Sequence, residues 1–342
     1  MAVTARDVAR EAGVSPATVS LVFRDRPGVG RETRERVREV ARRLGYEYQG
    51  QTTPGRTSTL QLIAYKAHGK VVAETAFFDH LMAGCSDETY RQGFHRLAIS
   101  YYYANEHSSE QLRSLRSTKC AGIILLATEM RATDIAPFER LGVPIVLLDS
   151  WFPTKNLDAI VIDNQRGAFN ATSYLVRHGH RDVGYLHSSV DIRNFIERQD
   201  GWQQGMRALV DRRYDCAAAT VRVGPSITSA YEDMTAWLEG NPKLPTAFFA
   251  DNDIIAAGCM RALQERGVRI PDDVSVIGLD DMPFAQLMSP QLTTMSVPKE
   301  RMGALAVQRL VSLIQEGRRE VVRTAILPEV IERESVRTIT TG

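Results

Sequence analysis

Several short apolar runs in this chain are followed by polar residues able to grip a small polar molecule. Asp149 follows the run VPIVLL, Asn252 and Asp253 come soon after TAFFA, and Asp280 and Asp281 follow VSVIGL. Arg198 is placed in the loop after an apolar run at 183–187, and Phe77 and Phe78 fall at the start of an early helix. Carboxylate, amide and guanidinium groups make paired hydrogen bonds to vicinal hydroxyls or to a planar polar ring. A cleft of that chemistry, with an aromatic wall, suits a sugar or a nucleobase-like molecule. Each residue also has a plainer use. An Asp at a strand end often caps the next helix, which is the preferred reading for Asp253 and Asp281. Arg198 could instead hold an ion pair between two lobes, and the two Phe could be ordinary core.

A different chemistry opens the chain. Residues 1–46 carry ten Arg, no Lys and six acids, a net charge of +4 on a chain whose total is +1. A basic segment on an otherwise slightly acidic chain is the footprint of a nucleic-acid-binding unit. Thr4, with Asp7 three residues on, reads as a capping-box start. Val8, Ala9 and Ala12 share one helical face, and Gly13 can take the left-handed turn that ends a helix. Ser15 caps a second helix with Pro16 at its first position; Val19, Val22 and Phe23 form its apolar face. A third helix, about 31–43, buries Val37, Val40 and Leu44. Two short helices joined by a Gly-containing turn place the second helix in the major groove of DNA. On that helix Pro16 and Ala17 permit close approach, and Thr18 and Ser20 can reach bases or phosphates.

Other chemistries lack their residues. His178 and His180 sit close together with no further ligand at metal-binding spacing, so they read as structural. Cys85, Cys120, Cys216 and Cys259 are far apart and read as reduced thiols without a zinc or redox motif. No nucleophile elbow, HExxH or phosphate loop is found. No apolar run reaches membrane-spanning length and no signal-peptide core opens the chain, which places the expected protein in the cytoplasm with access to DNA.

The elements that must position these residues can be read from the alternation of patterns. Residues 47–58, EYQGQTTPGRTS, are polar and contain Gly50, Pro54 and Gly55, a linker by composition. Beyond it, strands are expected at 60–65, 96–102, 121–127, 144–149 and 159–162, and then at 183–187, 219–223, 246–250 and 274–279. Amphipathic helices lie between them. Alternation of this kind makes parallel sheets with right-handed crossovers, and two series imply two similar doubly wound lobes. Open parallel sheets bind ligands beyond the carboxyl ends of their strands, where the polar residues above fall.

The words DVAREAGVSPATVS and ETRERVREVARRLGY at 32–46 resemble the DNA-binding domain of the LacI/GalR family of bacterial transcription regulators. The resemblance continues in order through Asp163-Asn164, TSYLVRHGHRDVGYL, Arg198 with Gly201-Trp202, FFADNDIIAAG, PDDVSVIGLDD and SPQLTTMSVP, and so covers nearly the whole chain. It implies an all-α helix-turn-helix domain at 1–46, a linker at 47–58 and a periplasmic-binding-protein-like α/β core at 59–342. Lobe 1 would comprise about 59–161 and 296–324, and lobe 2 about 162–288 and 328–342. Three crossovers are implied, near 161–164, 288–296 and 324–330. The implied protein is no enzyme and needs no cofactor. It is a homodimeric regulator, a repressor, that binds double-stranded operator DNA and responds to a small sugar-like effector held between its lobes. The resemblance makes Arg198, Asn252 and Asp280 the foremost effector contacts, followed by Asp149, Phe77 and Phe78. The DNA-reading set is Thr4, Ser15, Pro16, Ala17, Thr18, Ser20, Leu21, Arg24, Arg31 and Arg34.

Two departures bear on mechanism. Relatives follow the LGY word with Pro-Asn and an Ala-Arg-x-Leu helix whose Leu wedges the minor groove. Here Glu47-Tyr48-Gln49 follows, and Gly50, Pro54 and Gly55 disfavour a helix. Leu21 also stands where some members place an Arg. Readout is therefore expected to rest on Thr18, Ser20 and apolar contact with thymine methyl groups, while Arg24, Arg26, Arg31 and Arg34 grip phosphate.

Overall fold

The computed structural model describes residues 3–23, 29–44, 46, 59–72, 76–106, 108–213, 215–216, 218–317 and 320–339. The chain forms two units, Met1–Thr57 and Ser58–Gly342. The linker and its departure from the Ala-Arg-x-Leu pattern fall outside the described residues, as do Arg24 and Arg26.

Among the described residues the first unit has three helices, α1 (Ala5–Ala12), α2 (Pro16–Phe23) and α3 (Arg31–Leu44). Helix α1 starts where Thr4 Oγ1 accepts from the Asp7 N–H at 3.4 Å and Asp7 Oδ2 accepts from the Thr4 N–H at 3.0 Å. It stops at Gly13, whose φ of +64° is left-handed, a conformation that costs other L-residues roughly 1–2 kcal/mol. Val8, Ala9, Ala12, Val19, Val22, Val37, Val40 and Ala41 make the core. Ala41 rather than Leu44 completes it; Leu44 is half-buried at the rim.

Among the described residues the second unit contains two six-stranded sheets. The first holds β1 (Thr59–Lys66), β2 (Arg96–Tyr103), β3 (Ile123–Leu126), β4 (Ile145–Leu148), β5 (Asp158–Ile162) and β11 (Arg323–Ile326), in the order β11-β5-β4-β3-β1-β2, all parallel. The second holds β6 (Val183–Ser188), β7 (Thr220–Val223), β8 (Ala247–Ala250), β9 (Ser275–Asp280), β10 (Thr293–Ser296) and β12 (Glu329–Ile331), in the order β12-β10-β9-β8-β6-β7. Only the β10–β12 edge is antiparallel. Lobe 1 carries α4 (Ala76–Arg91), α5 (Ser108–Ser117), α6 (Ala136–Glu139) and α11 (Lys299–Glu316); lobe 2 carries α7 (Asn164–Arg177), α8 (Arg193–Leu209), α9 (Ile227–Glu239) and α10 (Asp253–Glu265).

The interior strands are buried on both faces, as IILL in β3, IVLL in β4 and AFFA in β8 show, so they read as continuous apolar runs rather than alternating ones. Helices α4 and α11 approach closely at two glycines. A Cβ on Gly84 would lie 2.0 Å from the Glu300 carbonyl oxygen, and one on Gly303 would lie 2.2 Å from that of Leu81. The segments expected only as crossovers near 288–296 and 324–330 each contribute strand: β10, β11 and β12 add one edge to the first sheet and two strands to the second.

Candidate effector cleft and DNA-reading head

The strand ends of the two lobes face each other across a narrow cleft. It gathers Phe77, Phe78, Asp149, Arg198, Asn252 and Asp280, together with Lys70, Val71, Thr128, Ile192, Asn194, Phe195, Pro225 and Ile254. From lobe 1, Phe77 and Phe78 enter from the first turn of α4, edge to face at 5.2 Å. They line the cleft and also join the core cluster. Asp149 and Asp280 turn out of β4 and β9 with φ of +66° and +115°. Few non-glycine residues hold such backbone conformations, and they concentrate where a site requires them.

Arg198 is the hub of the lobe 2 wall. It is buried in the second turn of α8, not in a loop as the sequence suggested. Its Nε donates to Asn164 Oδ1 at 2.8 Å, Nη1 to the Asp251 carbonyl at 2.6 Å, and Nη2 to Asp280 Oδ1 at 3.4 Å. All three partners belong to lobe 2, so the ion pair lies within a lobe rather than between lobes. Asn252 caps α10 by accepting from the Ile255 N–H at 3.0 Å, so the cap expected of Asp253 is made one residue earlier. Asp253, fully buried, instead accepts from the Thr294 hydroxyl at 2.5 Å and the Met282 N–H at 2.7 Å. Asp281 caps nothing; it pairs with Arg333 at 2.6 Å.

Burial dominates the electrostatics. Asp149 is pushed up to about 7 by burial and by Asp280, against the pull of Thr128, Arg198 and Asn194. Asp253 is pushed up to about 8 by burial and Asp280, and Asp280 is raised by burial despite Arg198 and Lys299. Behind Arg198, Asp251 Oδ2 accepts from His187 Nδ1 at 2.8 Å and the Ser188 N–H at 2.7 Å, and Oδ1 accepts from the Tyr185 hydroxyl. This buried network fixes the strand end that supplies both the Arg198 acceptor and Asn252.

Helix α8 also ties the lobes together. Asn194 Nδ2 donates across the cleft to Asp149 Oδ1 at 3.1 Å, and the Thr128 hydroxyl donates to Asp149 Oδ2 at 2.6 Å. Trp151 donates to Glu197 at 3.0 Å, with the Arg193 and Arg323 guanidinium carbons 4.0 and 3.9 Å from its ring centroid. Asn194 and Thr128, which the sequence analysis does not single out, carry local signals for these positions. Asn194 precedes Arg198 by four residues and so shares its helical face, and Thr128 lies just past the IILL strand. The two histidines have protein partners: His180 bonds Thr246 at 3.0 Å and the Arg337 carbonyl at 3.1 Å, and His178 bonds the Tyr174 carbonyl at 2.8 Å. Among the described residues no His, Cys, Asp and Glu cluster could hold a metal.

In the first unit, Pro16, Ala17 and Leu21 stand exposed on α2 and Thr18 and Ser20 are half-exposed. Ser15 Oγ accepts from the Thr18 N–H at 3.0 Å and lies 2.9 Å from Thr18 Oγ1, so these hydroxyls form the α2 cap. Thr4 belongs to the α1 cap. Arg31 pairs with Glu35 at 3.1 Å, and Arg34 Nε donates to the Val29 carbonyl at 3.1 Å.

A helix-turn-helix unit and a two-lobed core with a polar cleft define a DNA-binding regulator governed by a ligand. Residues 4–48 match the bacterial regulatory proteins of the lacI family, and residues 172–336 match a periplasmic binding protein-like domain. The HTH-type transcriptional repressor PurR of Histophilus somni (strain 129Pt) is 30% identical over 351 residues, spanning 98% of this chain and 99% of that protein. That of Vibrio cholerae serotype O1 (strain M66-2) is 30% identical over 347 residues, with the same coverage. A solved complex of the transcriptional regulator CelR with cellobiose superimposes with a TM-score of 0.73 at 27% identity, over 97% of this chain and 99% of that one. The lac repressor dimer bound to operator and the anti-inducer ONPF shares the fold, with a TM-score of 0.71 at 24% identity over 98% and 100%. The chain belongs to the lacI family of bacterial regulatory proteins. It is a ligand-responsive, DNA-binding transcription regulator and not an enzyme.

Proposed function

We propose that the protein is a homodimeric repressor, acting in the cytoplasm, whose grip on a near-palindromic operator changes when a sugar-like effector occupies the cleft. Residues 1–46 read DNA, 47–58 connect, and 59–342 bind effector and partner subunit. The carrying observation is the convergence of Asp149, Asn194, Arg198, Asn252 and Asp280 from both lobes beside Phe77 and Phe78. Buried carboxylates, amides and a guanidinium match a ring of hydroxyls, and an aromatic pair matches the apolar face of a pyranose. The cellobiose carried by the CelR complex is of this class.

The dimer is supported by strand β2 at the edge of the first sheet. Ile99, Tyr101 and Tyr103 lie two residues apart and so project from one face; they are 46%, 49% and 39% exposed. An edge strand with large exposed apolar side chains is an interface or a hazard. Among the described residues no helix is long and apolar enough to cross a membrane.

A thermal-shift screen over cellobiose, ribose, sugar phosphates and nucleosides tests the effector class, because a ligand bound at 100 times its Kd stabilises the fold by about 2.7 kcal/mol. A sugar that raises the midpoint of wild type but not of Arg198→Met supports the reading. A nucleoside alone doing so replaces it.

A further inference from the structure

Glu129 borders the cleft without lining it. It follows Thr128 at the end of β3, and its side chain has no exposed surface. Its Oε2 accepts from the backbone N–H groups of Ala67, His68 and Gly69 at 2.9, 3.1 and 2.9 Å. Its Oε1 accepts from those of Val71 and Val72, both at 2.8 Å. The remaining N–H of this loop, on Lys70, donates to His68 Nδ1 at 3.1 Å, and that ring nitrogen lies 3.2 Å from Glu129 Oε1. Every main-chain donor from 67 to 72 is thus gathered by one carboxylate and the imidazole beside it. Gly69, at φ +64°, lets the chain curl so that successive N–H groups converge, the geometry of a backbone nest for an anion. Burial alone would raise the Glu129 carboxyl; the N–H groups of Val72, His68, Val71 and Gly69 outweigh it and hold the group below the ordinary carboxylate range.

The loop has few other anchors: Val72 in the lobe core, Ala67 against a neighbouring cluster, and the Asn105 Nδ2 that donates to the Ala67 carbonyl at 3.1 Å. Val72 is its one buried side chain, while His68 and Lys70 are exposed and Ala67, Gly69 and Val71 are half-buried. Yet Lys70 and Val71 form part of the cleft wall, on the same lobe as Phe77 and Phe78. The end of β3 therefore sends two neighbouring side chains to two parts of the site: Thr128 to Asp149, and Glu129 to the loop.

We propose that Glu129 is a positioning residue of the effector cleft, an internal anion that organises the 67–72 loop and thereby sets Lys70 and Val71 on the wall. This rests on reading the cleft as the effector site. Once that anion is removed, the loop keeps Val72 in the lobe core and Ala67 against the neighbouring cluster, but the main-chain donors between them lose their acceptor. An isosteric amide does not replace it, because a carboxamide presents one oxygen and turns its NH₂ toward N–H donors.

The test uses the full chain with Glu129→Ala and Glu129→Gln, followed by amide hydrogen exchange. Loss of these hydrogen bonds raises exchange at 67–72 about tenfold or more in both variants, while β1 and β3 keep wild-type rates. Formate, a free carboxylate that fits the vacated space, slows exchange at 67–72 again in Glu129→Ala and leaves wild type unchanged. In parallel, the midpoint shift given by cellobiose falls in Glu129→Ala and returns with formate. Wild-type exchange at 67–72 in either variant overturns the proposal. So does a loss that formate fails to reverse, or an undiminished cellobiose shift in a variant with a loosened loop. If Glu129→Ala does not fold, local exchange in Glu129→Gln decides. A wild-type chain indifferent to cellobiose counts against that sugar as effector, and the exchange result then decides Glu129 by itself.

Discussion

Replacing Asp149 with Asn should stabilise the core increasingly as pH rises. The side chain is buried at the end of β4, between the Thr128 hydroxyl and the Asn194 amide. Asn fits the site: it tolerates φ near +66°, its oxygen accepts from Asn194, and its NH₂ donates to a rotated Thr128 hydroxyl. What changes is the charge. Burial, the largest influence, lifts the Asp149 carboxyl from 3.8 to about 7. Between those values the folded protein keeps a proton that the unfolded chain has released. Stability from this group is therefore fully present below about pH 4 and is lost as pH climbs through 7. From pH 5 to pH 8 the wild type forfeits two pH units of this difference, about 3 kcal/mol at 1.36 kcal/mol per unit. The Asp149→Asn variant forfeits nothing, while Asp253 and Asp280 titrate in both proteins and largely cancel. Urea titrations at pH 5, 6.5 and 8 should show the variant already more stable at pH 5 and its advantage widening by about 3 kcal/mol by pH 8. A difference that stays constant with pH, or shifts toward the wild type at pH 8, would refute the claim that burial governs this carboxylate.

Arg198→Met strands Asp280 without its guanidinium partner and should cost about 3–5 kcal/mol of core stability, measured by urea unfolding, with calorimetric heat of sugar binding abolished. Thr18→Ala keeps the Ser15 cap on the Thr18 N–H and so should leave helix content by circular dichroism unchanged. Removing a hydroxyl that reads a base would weaken operator binding by about 1–3 kcal/mol in a gel-shift titration. Ile99→Asp combined with Tyr101→Asp places charges on the exposed face of β2 and should yield a monomer in sedimentation, with weaker operator binding by the same gel shift.

Much of this architecture was legible because its signals are local. Buried strands such as IVLL and AFFA announce themselves as apolar runs, and Thr4, Gly13 and Pro16 mark helix ends by mechanisms that need no tertiary partner. The strand-end rule found Asp149, Asn252 and Asp280 for the same reason. The roles hidden from the sequence depend on distant partners. Whether Asp253 caps a helix or anchors a turn is decided by Thr294, and Asp281 is decided by Arg333. Glu129 gave no signal, since the donors it gathers lie about sixty residues earlier on a neighbouring strand's loop. Strands β10, β11 and β12 were passed over because they are four, four and three residues long and lie within the crossovers.

Occupancy of the cleft is expected to change how tightly the N-terminal unit holds DNA. The most direct test is fluorescence anisotropy of the full chain on an operator selected from random-sequence duplexes, with and without a sugar at a concentration that saturates the thermal shift. Operator affinity should change roughly 5–150-fold, a coupling of about 1–3 kcal/mol. Identical operator affinity in the two conditions, with the sugar demonstrably bound, would contradict it.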